Sequence, residues 1–275
     1  MIQTEKMLSI GGLAAGMAHE INNPLTGMMQ SAHVIALRLG KDMDLKASHI
    51  AAEKAGTTLA AISKFMDGRS IPQLLDAVTE SGKRAATIVT NMLNFARKSD
   101  SSVSTCNLEV LIEKTIKLIS GNFDLKKEYD FKKIEIIREY PSQPLLLPCD
   151  GPKIQQVLLN IFRNGAEAMQ ETGIENHRFI IRILYKEKPR MISLEIEDNG
   201  PGMDESIRKH IFEPFYTTKP VGMGTGLGLS VSYFIITENH NGTIRVESKP
   251  EQGAKFTICL PLDKIDSNQK RGNYE

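Results

Sequence analysis

From residue 1 to about residue 100, apolar side chains recur at steps of mostly three or four. One series covers residues 7–39 and another covers residues 74–95, and each spacing is typical of one face of an amphipathic helix. The apolar positions are Met7, Ile10, Ala14, Met17, Ile21, Met28, Ile35 and Leu39 in the first series, and Leu74, Val78, Ala85, Ile88, Met92 and Phe95 in the second. Because two helices alone cannot bury both faces well, the pattern predicts an antiparallel hairpin that dimerises into a four-helix bundle.

The segment between the two series, residues 45–70, is also mostly helix-forming (LKASHIAAEKAGTTLAAISKFMDGRS). It predicts either extensions of the two long helices or a short extra helix, with a break near Asp67–Gly68. Pro72 comes next, near the start of the second long helix, where a missing N–H is tolerated.

The stretch KSDSSVST, residues 98–105, is polar and serine-rich and predicts a linker. After it the pattern changes to mixed α and β, and Asn107 is the candidate N-cap of the next helix. The predicted strands are IEIIREY, PLLLPCD, HRFIIRILYK, MISLEIEDN, GTIRVES and AKFTICLPL. We therefore expect an all-α domain over residues 1–102, an α/β domain over residues 103–265 and a disordered polar tail over residues 266–275.

Composition and charge narrow the class of protein. Of 275 residues, 41% are hydrophobic and 24% are charged, which is typical of soluble globular domains. With 34 basic and 33 acidic residues the net charge is +1, so no global field predicts nucleic acid or an anionic membrane as partner. No apolar run approaches the roughly 18 residues of a membrane span. We expect a cytoplasmic chain without direct membrane contact.

The cysteines agree with that location. Cys106, Cys149 and Cys259 are far apart in the sequence, odd in number and without CxxC spacing. A disulfide framework or a zinc site is therefore not expected, and free thiols in a reducing compartment fit best.

Two polar motifs in the second region suggest a nucleotide site. NIFRN places Asn160 and Asn164 four residues apart on one helix face, and their carboxamide oxygens suit Mg²⁺. EDNGPGMD ends a strand at Asp198, whose carboxylate can accept a hydrogen bond from an amino group such as that of adenine. Two solvent-facing asparagines and an ordinary Asp-Asn-Gly turn are the alternatives.

A third motif, GMGTGLGLS at residues 222–230, has four glycines at alternate positions leading into a helix. Backbone N–H groups at a helix N-terminus beside glycines form an anion cradle suited to phosphate. No lysine follows the glycines as in a P-loop, and no strand precedes them as in a dinucleotide-binding βαβ unit. Each motif is weak by itself, but their order over about 70 residues is specific.

Together these motifs resemble those of the sensor histidine kinases, and the resemblance covers most of the chain. QVLLNIFRNGAEAM is similar to the N box, EDNGPGMD to the first glycine box, FEPFYTTK to the F box and GMGTGLGLS to the second glycine box. QGAKF resembles a remnant of the third glycine box, and GMAHEINNPLTG at residues 16–27 resembles the H box.

The resemblance implies a helical dimerisation and phosphotransfer domain followed by a Bergerat-type ATP-binding domain. The second domain would be an α/β sandwich whose mixed sheet carries helices on one face. By this resemblance Asn160 and Asn164 hold Mg²⁺ against the triphosphate of ATP, and Asp198 binds the adenine amine. Segment 213–228 would be a mobile lid. The other implied ATP-binding residues are Gly200 and Gly202 at the adenine pocket, and Lys219, Gly224, Thr225, Gly226, Leu227 and Gly228 near the phosphates.

The H box carries the implied phosphate acceptor. Neutral imidazole is nucleophilic because its unperturbed pKa is about 6.5, so His19 would attack the γ-phosphate of ATP. By resemblance, Glu20 would polarise the imidazole N–H as a general base. Asn23, one turn after His19, would orient a water that hydrolyses the phosphoaspartate of a bound partner. Pro24 removes a helix hydrogen bond and predicts a kink near Glu20.

Two positions depart from the family pattern. Gly165 stands where alanine is usual, which costs the helix about 1 kcal/mol but leaves the ligands in place. Glu251 stands where the third glycine box usually begins, which puts a peripheral turn in doubt.

The expected function is a homodimeric histidine kinase core that passes its phosphoryl group to the receiver domain of a response regulator and can also dephosphorylate that regulator. Two alternatives stay open from the residues. One is an ATPase of the gyrase or heat-shock chaperone type, and the other is a dimerising scaffold whose ATP site has decayed.

Overall fold

The chain folds as two compact units, residues 1–98 and residues 99–275. The computed structural model describes residues 2–39, 46–96, 103–121, 130–171, 173, 176–220 and 224–262, and only the backbone at residues 2–19, 87–88, 91–96 and 171. The predicted tail, residues 266–275, lies outside the described residues. The predicted domain boundary between residues 102 and 103 stays a prediction.

The first unit is helical, as its apolar spacing predicts. The helices are α1 (Ile2–Leu39), α2 (Lys46–Lys54), α3 (Leu59–Gly68) and α4 (Ile71–Ala96). The connecting segment forms two separate short helices and does not extend the long ones. Thr58 caps α3 by accepting a hydrogen bond from the Ala61 N–H at 3.2 Å. The break predicted near Asp67–Gly68 is present, because Ser70 between α3 and α4 has a φ of 55°.

Helices α1 and α4 pack along each other. Leu25 and Ala32 of α1 and Val89 of α4 are buried within the single chain. At Gly82 of α4 the packing is especially close, because a Cβ atom there would lie 2.5 Å from Cγ of Met29. The Met29 side chain therefore occupies the space that any larger residue at position 82 would need.

Among its described residues, the second unit has a mixed sheet of five strands in the order Glu135–Glu139, Arg178–Lys186, Met191–Asp198, Ala254–Pro261 and Thr243–Ser248, in which the first two pair in parallel and the other neighbours pair antiparallel. Its elements are β1 (Ser104–Asn107), α5 (Leu108–Gly121), β2 (Glu135–Glu139), β3 (Leu146–Cys149), α6 (Gly151–Glu171), β4 (Arg178–Lys186), β5 (Met191–Asp198), α7 (Glu205–His210), α8 (Gly228–Phe234), β6 (Thr243–Ser248) and β7 (Ala254–Pro261). A π-helical turn, Ile235–Asn239, continues α8. The predicted α/β architecture with a mixed sheet is confirmed.

The predicted linker is too long by two residues. Ser104 and Thr105 belong to β1, which pairs antiparallel with β3 opposite Cys149 and Pro148. The strand is short and polar, and it exists because a distant segment supplies its hydrogen-bond partners. Asn107 does cap the following helix, since its Oδ1 accepts a hydrogen bond from the Val110 N–H at 3.1 Å.

The two faces of the main sheet differ in polarity. Alternate side chains of β4 and β5 point into one hydrophobic core shared with α5 and α6. On the other face, Arg182 of β4 lies 2.8 Å from Glu139 of β2 and 2.6 Å from Glu197 of β5. Lys255 of β7 lies 2.9 Å from Glu247 of β6. Helices therefore cover one face, while ion pairs between neighbouring strands cover the other.

A buried histidine joins the start of α6 to the end of α8. His240 is 3% exposed, its Nδ1–H donates to the Ile235 carbonyl at 2.8 Å, and its Nε2 accepts from the Asp150 N–H at 3.1 Å. Both ring nitrogens are satisfied only when the ring is neutral. Burial lowers the pKa of His240 below its usual value.

This histidine makes stability depend on pH. The pKa of His240 is lower in the folded chain than the roughly 6.5 expected when unfolded, so its stabilisation is complete above pH ~6.5 and is lost as the pH falls toward the folded value. We expect His240→Gln to lower the free energy of unfolding by about 1–3 kcal/mol at pH 7.5. The difference from wild type should shrink at pH 5.5 in urea titrations at both values. An equal difference at the two pH values would contradict this role.

Candidate functional site

Helix α6 places three polar side chains on one face. Asn160, Asn164 and Glu167 follow each other at steps of four and three residues, while the opposite side of the helix enters the core through residues such as Leu158 and Phe162. The helix itself starts directly after β3, with Pro152 in its first turn. The predicted asparagine pair therefore shares a face, and Glu167 is an acidic neighbour that the motif comparison did not single out.

The amide of Asn160 is fixed by α8. Its Nδ2 donates to the Gly228 carbonyl at 2.9 Å and to Ser232 Oγ at 3.1 Å, and Ser232 in turn donates to Gly228. This orientation leaves Oδ1 free of any hydrogen bond to the described residues. This fixed amide oxygen, together with that of Asn164 one turn later on the same helix face, is a donor set that fits Mg²⁺.

Asp198 lies at the end of β5 and is 8% exposed. Its Oδ1 accepts hydrogen bonds from the Gly200 N–H at 2.9 Å and the Ala254 N–H at 3.2 Å. Burial raises the pKa of Asp198, and the two backbone N–H groups oppose that rise. Within the described residues Oδ2 has no partner. It is thus a buried acceptor available to an N–H donor of a ligand.

The turn after Asp198 depends on left-handed backbone. Gly202 has a φ of 70°, and a Cβ atom there would collide with the Lys249 carbonyl. Glu251, the departure in the third glycine box, has a φ of 65°, and its N–H donates to the Pro201 carbonyl at 2.6 Å. The turn at Glu251 is therefore kept without the usual glycine, and the left-handed backbone of this residue costs about 1–2 kcal/mol of stability.

Gly165, the other departure, has a packing reason. A Cβ atom at this position would lie 2.7 Å from Cε1 of Phe179 and 3.3 Å from Oδ2 of Asp198. The Phe179 ring uses this space and packs edge-on against Phe162, with ring centroids 5.3 Å apart. Ring packing offsets the helix-propensity cost, so the sequence-based account of Gly165 as a simple penalty is incomplete.

The predicted lid, residues 213–228, is described except at residues 221–223. The Phe215 N–H donates to the Gly226 carbonyl at 3.0 Å, which joins the F box to the second glycine box. Leu227 is buried and Gly228 begins α8. The Thr225 hydroxyl accepts a hydrogen bond from the Leu227 N–H at 3.4 Å.

Lys219 in this segment forms an ion pair with Glu167 of α6. The backbone N–H of Lys219 donates a hydrogen bond to the Thr217 hydroxyl at 3.2 Å. Gly224 packs directly against both, since a Cβ there would lie 2.6 Å from Thr217 Oγ1 and 3.3 Å from Lys219 Cβ. The structure thus brings the N box, F box and second glycine box together.

Sequence reasoning missed Glu167 and Ser232. Both carry a helical signal in retrospect, because Glu167 follows Asn164 by three residues and Ser232 follows Gly228 by four. Neither spacing reveals the long-range partner, which is Lys219 for Glu167 and Asn160 for Ser232.

The H box lies in α1 of the helical unit, residues 1–98. His19 is on the helix, and its side chain lies outside the described part of the structure. Glu20, Asn23 and Pro24 are exposed, and α1 continues through Pro24. The kink predicted there stays a prediction. Two residues after Pro24, the Thr26 hydroxyl donates a hydrogen bond to the Asn22 carbonyl, four residues before it, at 2.7 Å.

Two kinds of feature are absent from the described residues. They contain no group of three or more histidine, cysteine, aspartate or glutamate residues placed to hold a metal ion. None of the helices in the described ranges is long and apolar enough to cross a bilayer.

Two family descriptions match this chain. Residues 9–101 match the His Kinase A (phospho-acceptor) domain, and residues 149–264 match the histidine kinase-, DNA gyrase B- and HSP90-like ATPase. The two matches are consecutive and correspond to the helical unit and to most of the α/β unit.

Individual proteins are similar over nearly the whole chain. The signal transduction histidine-protein kinase AtoS of Escherichia coli K12 is 32% identical over 266 residues, which are 96% of this chain and 36% of that protein. Sporulation kinase A of Bacillus subtilis 168 is 30% identical over 262 residues, 95% of this chain and 36% of its own length. The chain thus spans about a third of these curated relatives.

A solved structure agrees in fold. Full-length ShkA in complex with AMPPNP superposes with a TM-score of 0.61 at 23% identity, covering 92% of this chain and 46% of that one. At this identity the likeness concerns the fold alone.

Proposed function

The chain belongs to the two-component sensor histidine kinases and contains their ATP-binding domain, and on this premise we propose that it phosphorylates His19 with ATP. The phosphoryl group then passes to an aspartate in the receiver domain of a response regulator. The phospho-acceptor match over residues 9–101 favours this proposal over a plain ATPase.

One observation carries the proposal for the nucleotide site. The hydrogen bond of 2.9 Å from Asn160 Nδ2 to the Gly228 carbonyl joins the helix of the N box to the glycine-rich start of α8. The Asn face of α6 and the backbone of segment 224–228 therefore border one site. Phosphates fit at this helix start, and the buried Oδ2 of Asp198 fits the amino group of adenine.

Asn160 and Asn164 would hold Mg²⁺ through their amide oxygens. When bound, the ion neutralises charge on the phosphates during phosphoryl transfer. The protein contributes the fixed orientation of Asn160, whose Nδ2 is held by Gly228 and Ser232. Lys219 adds a positive charge near the same helix face.

The proposed reaction forms one bond and breaks one. A nitrogen of the neutral His19 ring attacks the γ-phosphorus, the bond between that phosphorus and the bridging oxygen breaks, and ADP leaves. Phosphorylation leaves the ring positively charged, and Glu20 accepts a hydrogen bond from the N–H of the other ring nitrogen and then takes that proton as a general base. Since neighbouring helix residues diverge by about 100°, the Glu20 side chain must bend back toward the ring.

The helical unit supports a homodimer as the working form. Ile21, Met28 and Ile35 recur every seven residues on α1 and are 40%, 57% and 43% exposed in the single chain. This apolar stripe continues the predicted bundle face, and a second copy would cover it in a four-helix bundle.

Labelling tests the kinase. The purified chain is incubated with ATP labelled at the γ-phosphate and with Mg²⁺. We expect a label on the protein that survives base and is lost in acid, and chelation of the metal should prevent it. Hydrolysis of ATP without any label on the protein would support the ATPase alternative. The absence of both labelling and hydrolysis would support the scaffold alternative.

Asn23→Ala tests the proposed phosphatase activity. Asn23 is exposed one turn after His19, so its amide is accessible to a docked partner. We expect about 10²-fold slower dephosphorylation of the response regulator that accepts the label, because the attacking water loses its orientation. Labelling of His19 should change little. The rate is followed as loss of label from the purified regulator, with Asn22→Ala as the neighbouring control, and a wild-type rate for Asn23→Ala would rule out the role.

A further inference from the structure

The ion pair between Glu167 and Lys219 links the nucleotide-binding helix to the lid. Lys219 Nζ contacts Glu167 Oε2, and each side chain is only 25% exposed. Exposed pairs of this kind contribute little, because solvent screens the charges and both side chains lose freedom. This pair is largely shielded, and Gly224 packs against the side chain of Lys219, since a Cβ atom at Gly224 would lie 3.3 Å from Cβ and 3.4 Å from Cδ of Lys219.

The place of the pair on α6 is specific. Glu167 follows Asn164 by one turn on the face that also carries Asn160. The Asn160 amide is held by Gly228, so the same face borders the start of α8. The ammonium group of Lys219 is thereby fixed beside the proposed magnesium and phosphate site.

We propose that Glu167 is a positioning residue that holds Lys219 beside the triphosphate of ATP. This inference rests on the proposed function of the nucleotide site. An ammonium has three N–H donors, and the carboxylate of Glu167 uses one of them, which leaves two for phosphate oxygens. Because the long lysine side chain is ordered before the nucleotide arrives, less freedom is lost on binding.

The test uses single and double variants in the full chain. Glu167→Ala should weaken MgATP binding and lower kcat/KM for autophosphorylation about tenfold, whereas Glu167→Gln, which can still accept the lysine hydrogen bond, should stay within about threefold of wild type. In a Lys219→Ala background, Glu167→Ala should cause no further loss. Glu247→Ala, which removes the partner of Lys255 on the outer sheet face, is the matched control.

The dissociation constant of MgATP is measured by equilibrium dialysis, and the thermal midpoint is followed in parallel. The inference is wrong if Glu167→Ala binds MgATP as well as or better than wild type, or if its tenfold loss persists without Lys219. If wild type binds MgATP but acquires no acid-labile label, the proposed kinase function fails while the dialysis still decides the role of Glu167. Absence of MgATP binding by wild type would overturn both.

Discussion

His19→Gln is expected to reduce acid-labile labelling of the protein to background, a loss of about 10³-fold or more. Glutamine has a hydrogen-bonding amide but no nucleophilic ring nitrogen, so no phosphoramidate can form. ATP binding should be unchanged, because Asn160, Asp198 and the glycine-rich segment belong to the other unit. The measurement is incorporation of label from γ-labelled ATP together with a dissociation constant for ATP.

The matched control is His33→Gln. His33 is exposed on α1, the same helix, but has no neighbouring acid and amide arranged like Glu20 and Asn23. It should be labelled as wild type. If His19→Gln keeps the label, the acceptor is another residue and the assignment of His19 is wrong.

Asp198→Asn should weaken ATP binding about 10²-fold and change which nucleotide binds best. Oδ1 is already held by the Gly200 and Ala254 N–H groups, so in the variant this oxygen stays and the new NH₂ group replaces Oδ2. The site would then present a donor to the adenine amino group, itself a donor. Loss of a hydrogen bond to a charged group, plus an unsatisfied donor, accounts for the size of the effect.

Inosine triphosphate makes this prediction sharper. It carries a carbonyl where ATP carries the amino group, so the asparagine NH₂ can donate to it. We expect Asp198→Asn to raise the affinity for inosine triphosphate relative to ATP, measured as the ratio of two dissociation constants. The control is Glu197→Gln. Glu197 immediately precedes Asp198, but its side chain lies on the outer sheet face with Arg182, so this variant should keep the wild-type ratio. A wild-type ratio for Asp198→Asn would remove Asp198 from the adenine site.

Much of the architecture could be predicted because its signals are local. Helices α1 and α4 follow from apolar spacing alone, and the mixed α/β character of the second unit follows from short strands between helices. The predicted family membership is confirmed by the two consecutive domain matches. It could be predicted because each motif is a short continuous stretch of the sequence.

What escaped the sequence depends on distant partners. Strand β1 is four residues long and is defined by its pairing with β3, so its first two residues looked like linker. From the sequence, Gly165 indicates only a weakness of α6, because nothing near it shows that the ring of Phe179 takes the space of its missing side chain. Glu167 could be placed on the asparagine face, but its bond to Lys219 could not be foreseen.

The structure explains how two of the proposed ligand groups are held. Hydrogen bonds from Gly200 and Ala254 explain how Asp198 is held, and those from Asn160 explain why its amide oxygen is free. The Asp198→Asn experiment tests which nucleotide atoms meet this carboxylate.

The close packing of Met29 over Gly82 has a mechanical consequence for the helical unit. A Cβ at position 82 would lie 2.5 Å from Cγ and 2.8 Å from Sδ of Met29, so the Met29 side chain of α1 packs into the space beside Gly82 of α4. Sliding α1 lengthwise along α4 would have to move the Met29 side chain out of the space beside Gly82. A bend at Pro24, five residues earlier, would not require this displacement of Met29. We therefore expect the helix pair to resist lengthwise displacement of α1 more strongly than a bend beside His19, the proposed phosphate acceptor.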